Sequence, residues 1–161
     1  MADTAVNPKI VDMNTVELVQ VQGGTMTGSI GIPIVLASGQ AAQAADDEIP
    51  WGSLAEDLSS AVTTATDKIW VYRWKVGTRL EMYATTGGAY TTLAVANKGI
   101  AYDYDVIGTG VSAVGTLDKG AATDKIFRVI DLALEYDAQR YTTTSNPTKC
   151  IVEVMKVQTA L

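Results

Sequence analysis

The strongest alternation of apolar and polar positions lies between Asp67 and Ala84. Ile69, Val71 and Arg73 fall on one side, with Trp70, Tyr72 and Trp74 on the other; further on, Leu80, Met82 and Ala84 oppose Arg79, Glu81 and Tyr83. A period of two places alternate side chains on one face of a sheet, so this stretch predicts two strands joined across Lys75-Val76-Gly77 as a hairpin.

The same pattern recurs along the chain in short runs bounded by turn residues. Residues 16–21 form a short strand broken by Gly23-Gly24, and residues 30–37 form another. Pro33 has no amide to donate, which puts that strand at an edge or starts it after Pro33. Residues 41–45 return across the Ser38-Gly39-Gln40 turn. Strands are also predicted at 90–96, 100–107, 111–117, 125–134 and 151–157, with a long hairpin loop over 135–149. The 125–134 run is apolar on both faces and is expected at the centre of a sheet or at an interface. Residues 54–66 space Leu54, Leu58, Ala61 and Val62 near one face of a short helix, although their Ser and Thr content weakens a helix. A loop with one helical turn is the alternative there.

Roughly nine evenly spaced strands with turns between them make an all-β fold, a closed or sandwiched antiparallel β-barrel with at most one short helix. The polar segment 1–15, with Asn7-Pro8, predicts an extended N-terminal arm. The body then covers 16–161, an early hairpin region at 16–66 and the main barrel at 67–161. No tandem sequence repeat is visible.

Composition agrees with a β-rich globule and narrows its chemistry. The chain has 161 residues, 47% hydrophobic and 19% charged, and a net charge of -6. Residues 1–66 hold eight acids and one base, Lys9, whereas residues 67–161 hold ten acids and eleven bases. An acidic first half argues against a nucleic-acid partner, which needs clustered cations to neutralise phosphates, and against an anionic membrane surface. No apolar run reaches the ~18–20 residues of a membrane span, and no basic segment followed by an apolar core suggests a leader.

There is no histidine, which removes the commonest general base, serine-type triads and most zinc sites. The one cysteine, Cys150, sits in the apolar run Cys150-Ile151-Val152 and is expected to be a buried side chain. Asp46-Asp47-Glu48 reads as a solvated loop lacking the spacing of a calcium loop. Asp103 and Asp105 share one face of a strand, where paired carboxylates can do acid–base work, but a solvent face is the plainer reading. The glycines of Gly23-Gly24 and Gly108-Thr109-Gly110 belong to turns. No catalytic residue, metal ligand or cofactor is therefore assigned, and an enzyme is not expected. Trp70, Tyr72 and Trp74 on one strand face can stack on sugars, but packing in a core or between subunits is the commoner use of such a stripe. Trp51, between Pro50 and Gly52, is expected to anchor a loop onto the core or onto a neighbour.

The layout resembles the capsid decoration (cement) proteins of tailed bacteriophages. The segments that carry the resemblance are Gly28-Ser29-Ile30-Gly31-Ile32-Pro33-Ile34-Val35-Leu36 with Gly39-Gln40-Ala41-Ala42-Gln43-Ala44-Ala45, Pro50-Trp51-Gly52-Ser53-Leu54-Ala55-Glu56-Asp57, the strand pair from Asp67 to Tyr83, Asp124-Lys125-Ile126-Phe127-Arg128-Val129-Ile130, and Ile151-Val152-Glu153-Val154. The resemblance implies a β-barrel or β-tulip-like domain with an N-terminal arm. It implies a homotrimer on the outer surface of the expanded capsid, made in the host cytoplasm and clamping major capsid protein subunits. On that basis Asn7, Pro8, Lys9, Ile10 and Val11 are the expected capsid-binding arm, and Trp51, Trp70, Tyr72 and Trp74 the expected oligomer interface. Another β-rich virion part (a tail, head-completion or receptor-binding protein) and a carbohydrate-binding module are the competing expectations.

Overall fold

The computed structural model describes residues 7–62, 67–132 and 148–159. The loop expected at 135–149 lies outside these apart from Thr148 and Lys149. So do residues 1–6 of the arm, 63–66 of the expected helix, and the last two residues of the strand expected at 125–134.

The chain is all-β. In order the strands are β1 (Lys9–Ile10), β2 (Glu17–Gly23), β3 (Met26–Gly28), β4 (Pro33–Ala37), β5 (Gln40–Gln43), β6 (Gly52–Leu54), β7 (Leu58–Val62) and β8 (Lys68–Arg73), followed by β9 (Arg79–Thr86), β10 (Ala89–Tyr90), β11 (Ala101–Ile107), β12 (Val114–Asp118), β13 (Phe127–Leu132) and β14 (Lys149–Val154). Strands β2-β5-β4-β6-β8 close into a barrel. The second half forms another ring: β9 pairs β12, β12 pairs β11, β11 pairs β13, β13 pairs β14, and β14 returns to β9.

The two rings share one topology. Taken in chain order within each half, the strands run first-third-second-fourth-fifth around both. In both, the first and third strands pair in parallel, β2 with β5 and β9 with β12, and the other pairings are antiparallel. The molecule is thus a structural duplication that its residues do not display. The expected purely antiparallel arrangement gains one parallel contact per ring, and the closed barrel of the first half is made from residues 17–73, ahead of the region where alternation alone placed the main barrel.

Each ring encloses its own core. Ile32, Ile34, Ala41, Leu54, Ile69 and Val71 fill the first. Leu80, Met82, Leu117, Phe127, Val129, Cys150, Val152 and Val154 fill the second. Cys150 is fully buried, and burial pushes its thiol up to about 12, so it packs as an apolar group.

The hairpin expected between residues 67 and 84 does not form. Both strands exist, but β8 pairs β2 and β6 while β9 pairs β14, β12, β1 and β10. Lys75-Val76-Gly77 carries the chain from one barrel to the other. Alternation fixes which face of a strand is buried but not which strand lies beside it. The expected helix at 54–66 is also absent from the described part: Leu58–Val62 is strand β7, paired with β3. Ser59 and Ser60 weaken a helix there, and pairing with β3 satisfies the extended backbone. The 90–96 strand shrinks to Ala89–Tyr90 followed by a 3-10 turn at Val95–Asn97.

Candidate interaction surface

The aromatic stripe of β8 is graded from solvent to core. Trp70 is 42% exposed, Tyr72 is half-buried and Trp74 is 1% exposed. All three point out of the first barrel, because Ile69 and Val71 fill its inside. At the Trp74 end this outside is the joint between the barrels. Trp74 enters the second core, meets Phe127 edge-on at 6.1 Å, and donates its indole N–H to Ser53 Oγ at 3.1 Å. Trp51 is buried in the first core, with the Arg73 guanidinium 5.7 Å from its ring centre. Trp51 and Trp74 therefore have almost no surface left to contribute to an oligomer interface, which corrects that expectation; Trp70 and Tyr72 keep theirs. A sugar platform of Trp70, Tyr72 and Trp74 loses Trp74 for the same reason.

At the Trp70 end the outside stays open. Antiparallel pairing sets Leu18 beside Tyr72 and Gln20 beside Trp70, and Leu18 is 52% exposed. Tyr72 also walls a cavity of about 480 Å³ together with Met13, Ile30, Leu54, Ser53 and the arm from Asn7 to Ile10. Met13 and Ile30 are half exposed at its mouth. The result is an apolar surface running from Trp70 and Leu18 into a groove.

The arm forms one wall of that groove and straps both barrels. Lys9 and Ile10 pair with Glu81 and Leu80 of β9, and the Val11 amide donates to the Arg79 carbonyl at 2.9 Å. The Asn7 side-chain oxygen accepts from the Gly115 amide at 3.0 Å. Pro8 crosses the first barrel at Gly31, where a Cβ would stand 2.6 Å from the Pro8 carbonyl; Gly31 also has φ +89. Only glycine accepts both conditions without strain. Asn7, Pro8, Lys9, Ile10 and Val11 thus lie docked on their own chain. A second strap comes from Gln158, whose side-chain amide exchanges hydrogen bonds with the Leu36 backbone at 2.7 and 3.0 Å.

Sequence reading placed the aromatic positions but missed Leu18, Ile30 and Met13. For Leu18 a signal exists: it shares parity with Gln20 and Gln22, so it is an apolar residue on a face that turns polar along the strand. Ile30 shares parity with the buried Ile32 and Ile34, but the strand starts only at Pro33, so that signal places it wrongly; Met13 lies in a turn with no periodicity to mark it.

A separate acidic group gathers where the two barrels meet. Carboxylate oxygens of Asp46, Asp47 and Asp118 lie within 4.8 Å of one another, the arrangement that hard divalent cations favour. Asp103 and Asp105 lie behind them and are buried, contrary to the solvent face expected. Both are committed to the fold. Asp105 accepts from the Thr85 hydroxyl at 3.0 Å and from the Val106 amide at 2.7 Å. Asp103 accepts from the amides of Thr123, Asp124 and Lys125 at 2.8, 2.8 and 2.7 Å. Both carboxylates are thus engaged by donors of their own chain, at 1% and 7% exposure.

Crowding of these acids has a consequence for stability. Burial first, and then Asp105 and Asp47, raise the Asp46 carboxyl above the usual range. The folded state therefore holds that proton more tightly than the unfolded state. The resulting stabilisation is complete below the ordinary Asp value of about 3.9 and fades as pH rises through the raised folded value. At neutral pH the ionised group costs stability. Asp46→Asn should raise the melting temperature at pH 7 and leave it unchanged near pH 3. Asp46 is largely solvent-facing, so screening keeps the gain below about 1 kcal/mol. Thermal melts at the two pH values decide the matter, and an equal shift at both would rule out charge as the cause. No protein-family model, no curated protein and no solved structure matches the chain.

Proposed function

We propose that the protein is a structural virion component, a capsid decoration protein that binds the outside of an expanded phage shell as a homotrimer and stabilises contacts between major capsid subunits. The observation that supports this best is the apolar outer face of the first barrel, Leu18, Trp70 and Tyr72, leading into the arm-walled groove. Contiguous exposed apolar surface rimmed by polar groups marks protein contact sites. A rigid barrel scaffold suits a clamp, because contacts made only on the assembled shell stabilise it by mass action.

The test is co-sedimentation with undecorated expanded capsids. Saturable binding is expected, together with a trimer by mass photometry; no binding at micromolar protein overturns the proposal. A closed ring of more subunits would instead assign the chain to a tail or head-completion role. Of the three tryptophans, only Trp70 has surface to lose, so Trp70→Phe should abolish any emission shift that accompanies assembly.

A further inference from the structure

The two barrels share one topology, and this supplies an internal comparison. The first and fifth strands pair in each, β2 with β8 and β9 with β14. In the second barrel the outward residues of that pair are Arg79, Glu81 and Tyr83 beside Glu153, Ile151 and Lys149. They are dressed in charge: Lys149 pairs with Glu81 and lies over the Tyr83 ring, and Glu153 pairs with Arg128. In the first barrel the same positions hold Leu18, Gln20, Trp70 and Tyr72. Within one fold, the face finished with charge pairs in one barrel carries the exposed apolar Leu18 and Trp70 in the other.

Charge says what covers it. Residues 7–73, the arm and first barrel, hold eight acids and three bases, whereas residues 74–161 hold nine of each. Several of these acids rim the apolar face. Glu56 accepts from the Trp70 amide and Asp57 from the Ile30 amide, each at 2.7 Å. Asp12 caps the turn that starts at Met13, whereas Glu17 falls on the other face of β2 from Leu18, across from Arg73. Of the three bases, Lys9 lines the groove and Arg73 is drawn to the Trp51 ring and loosely to Glu17 at 4.0 Å. A second copy of this barrel would bring like charge against like. A cationic partner gains at the rim what its apolar residues gain at the centre.

We propose that the outer face of the first barrel, Leu18, Trp70 and Tyr72 continuing into the cavity between Met13 and Ile30, docks a basic segment of a partner protein that carries an aliphatic anchor. The anchor fills the cavity and the flanking Lys or Arg residues meet Asp12, Glu56 and Asp57. This rests on the structural role proposed above and names the chemistry of the partner at that site.

Three short labelled peptides test it by fluorescence anisotropy: alternating Lys and Leu, alternating Glu and Leu, and alternating Lys and Ser. The Lys/Leu peptide is expected to bind saturably, and more weakly as salt rises, because the rim contacts are screened. The other two should bind at least about tenfold more weakly, since each lacks either the charge or the anchor. Leu18→Ser combined with Trp70→Ser should weaken the Lys/Leu peptide by a similar factor with an unchanged melting temperature. Val95→Ser, at an exposed apolar position in the other half, should leave binding as it was. Equal binding of the Lys/Leu and Glu/Leu peptides overturns the proposal, as does binding indifferent to the double replacement. Self-association by sedimentation that the double replacement abolishes would make a second copy the occupant and overturn it too. Failure on capsids with success on the peptide removes the virion role alone; capsid binding undiminished by the double replacement removes the docking face alone.

Discussion

Replacing Trp74 by Ala should cost about 3–5 kcal/mol, the largest loss expected from any single change at an aromatic position of β8. Trp74 is the side chain that belongs to both halves. It leaves the last turn of the first barrel, lies 1% exposed among the residues of the second core, and touches Phe127 edge-on. Truncation opens a void at the joint and strands the Ser53 hydroxyl, which now accepts the indole N–H. Trp74→Phe keeps most of the volume and loses only that hydrogen bond, for about 1–2 kcal/mol. Trp70→Ala, at the solvent end of the same stripe, should stay within about 1 kcal/mol. Urea unfolding of the three variants gives the ordering directly. Equal losses for Trp70→Ala and Trp74→Ala would mean that the stripe is not graded as described.

That ordering could not have been read from the residues. Trp70, Tyr72 and Trp74 are equivalent by period two, and the alternation correctly puts them on one face. What separates them is the second barrel, which covers one end of the strand and leaves the other bare. Tertiary contact of that kind has no local signature. The same limit explains the hairpin expected across Lys75-Val76-Gly77. Apolar parity in β8 and β9 is right, and both strands form, but parity is identical whether neighbouring strands pair with each other or with distant ones. The all-β character, the β4–β5 return and the central place of β13 were legible because each rests on local turn chemistry or on two-faced apolarity. The duplication was not legible. Its matching strand pairs hold different residues, Trp70 opposite Gln20 in one ring and Ile151 opposite Glu81 in the other, so a topology repeats without a visible sequence repeat.

The acids show the opposite failure. Asp103 and Asp105 alternate with tyrosines on β11, and charged residues at alternate positions usually face water. Here the loop after β12 folds back over the strand end and uses Asp103 as its anchor. A carboxylate can satisfy several amides at once, which makes Asp tolerable in a buried place if a loop supplies the donors. Nothing in the residues 119–126 announces those donors.

Asp103→Ala should therefore be nearly as damaging as the loss of Trp74. Its carboxylate accepts three consecutive amides, Thr123, Asp124 and Lys125, at a position only 1% exposed. It thereby holds Lys125 in the left-handed region at φ 55, a conformation that costs a non-glycine residue about 1–2 kcal/mol. Removing the acceptor leaves part-buried donors unpaired at about 1–3 kcal/mol each, some of which water recovers, so a net loss of about 3 kcal/mol is expected. Asp103→Asn with its oxygen at the Oδ1 position keeps the acceptor of the Asp124 and Lys125 amides and sets its N–H₂ group against the Thr123 amide alone, so it should rescue part of the loss. Lys125→Gly on the Asp103→Ala background should restore part of the loss, because glycine removes the left-handed penalty without the anchor. Ile126, the next residue, is fully buried, and its amide donates to the Tyr102 carbonyl at 2.9 Å. Loosening the loop therefore loosens the entry to β13 at the edge of the second core. Hydrogen exchange should show faster exchange at the 123–126 amides in Asp103→Ala, with the first-barrel strands β2 and β8 unchanged. Unaltered protection at 123–126 would mean that the loop holds its shape without the carboxylate, and that the burial of Asp103 needs another cause.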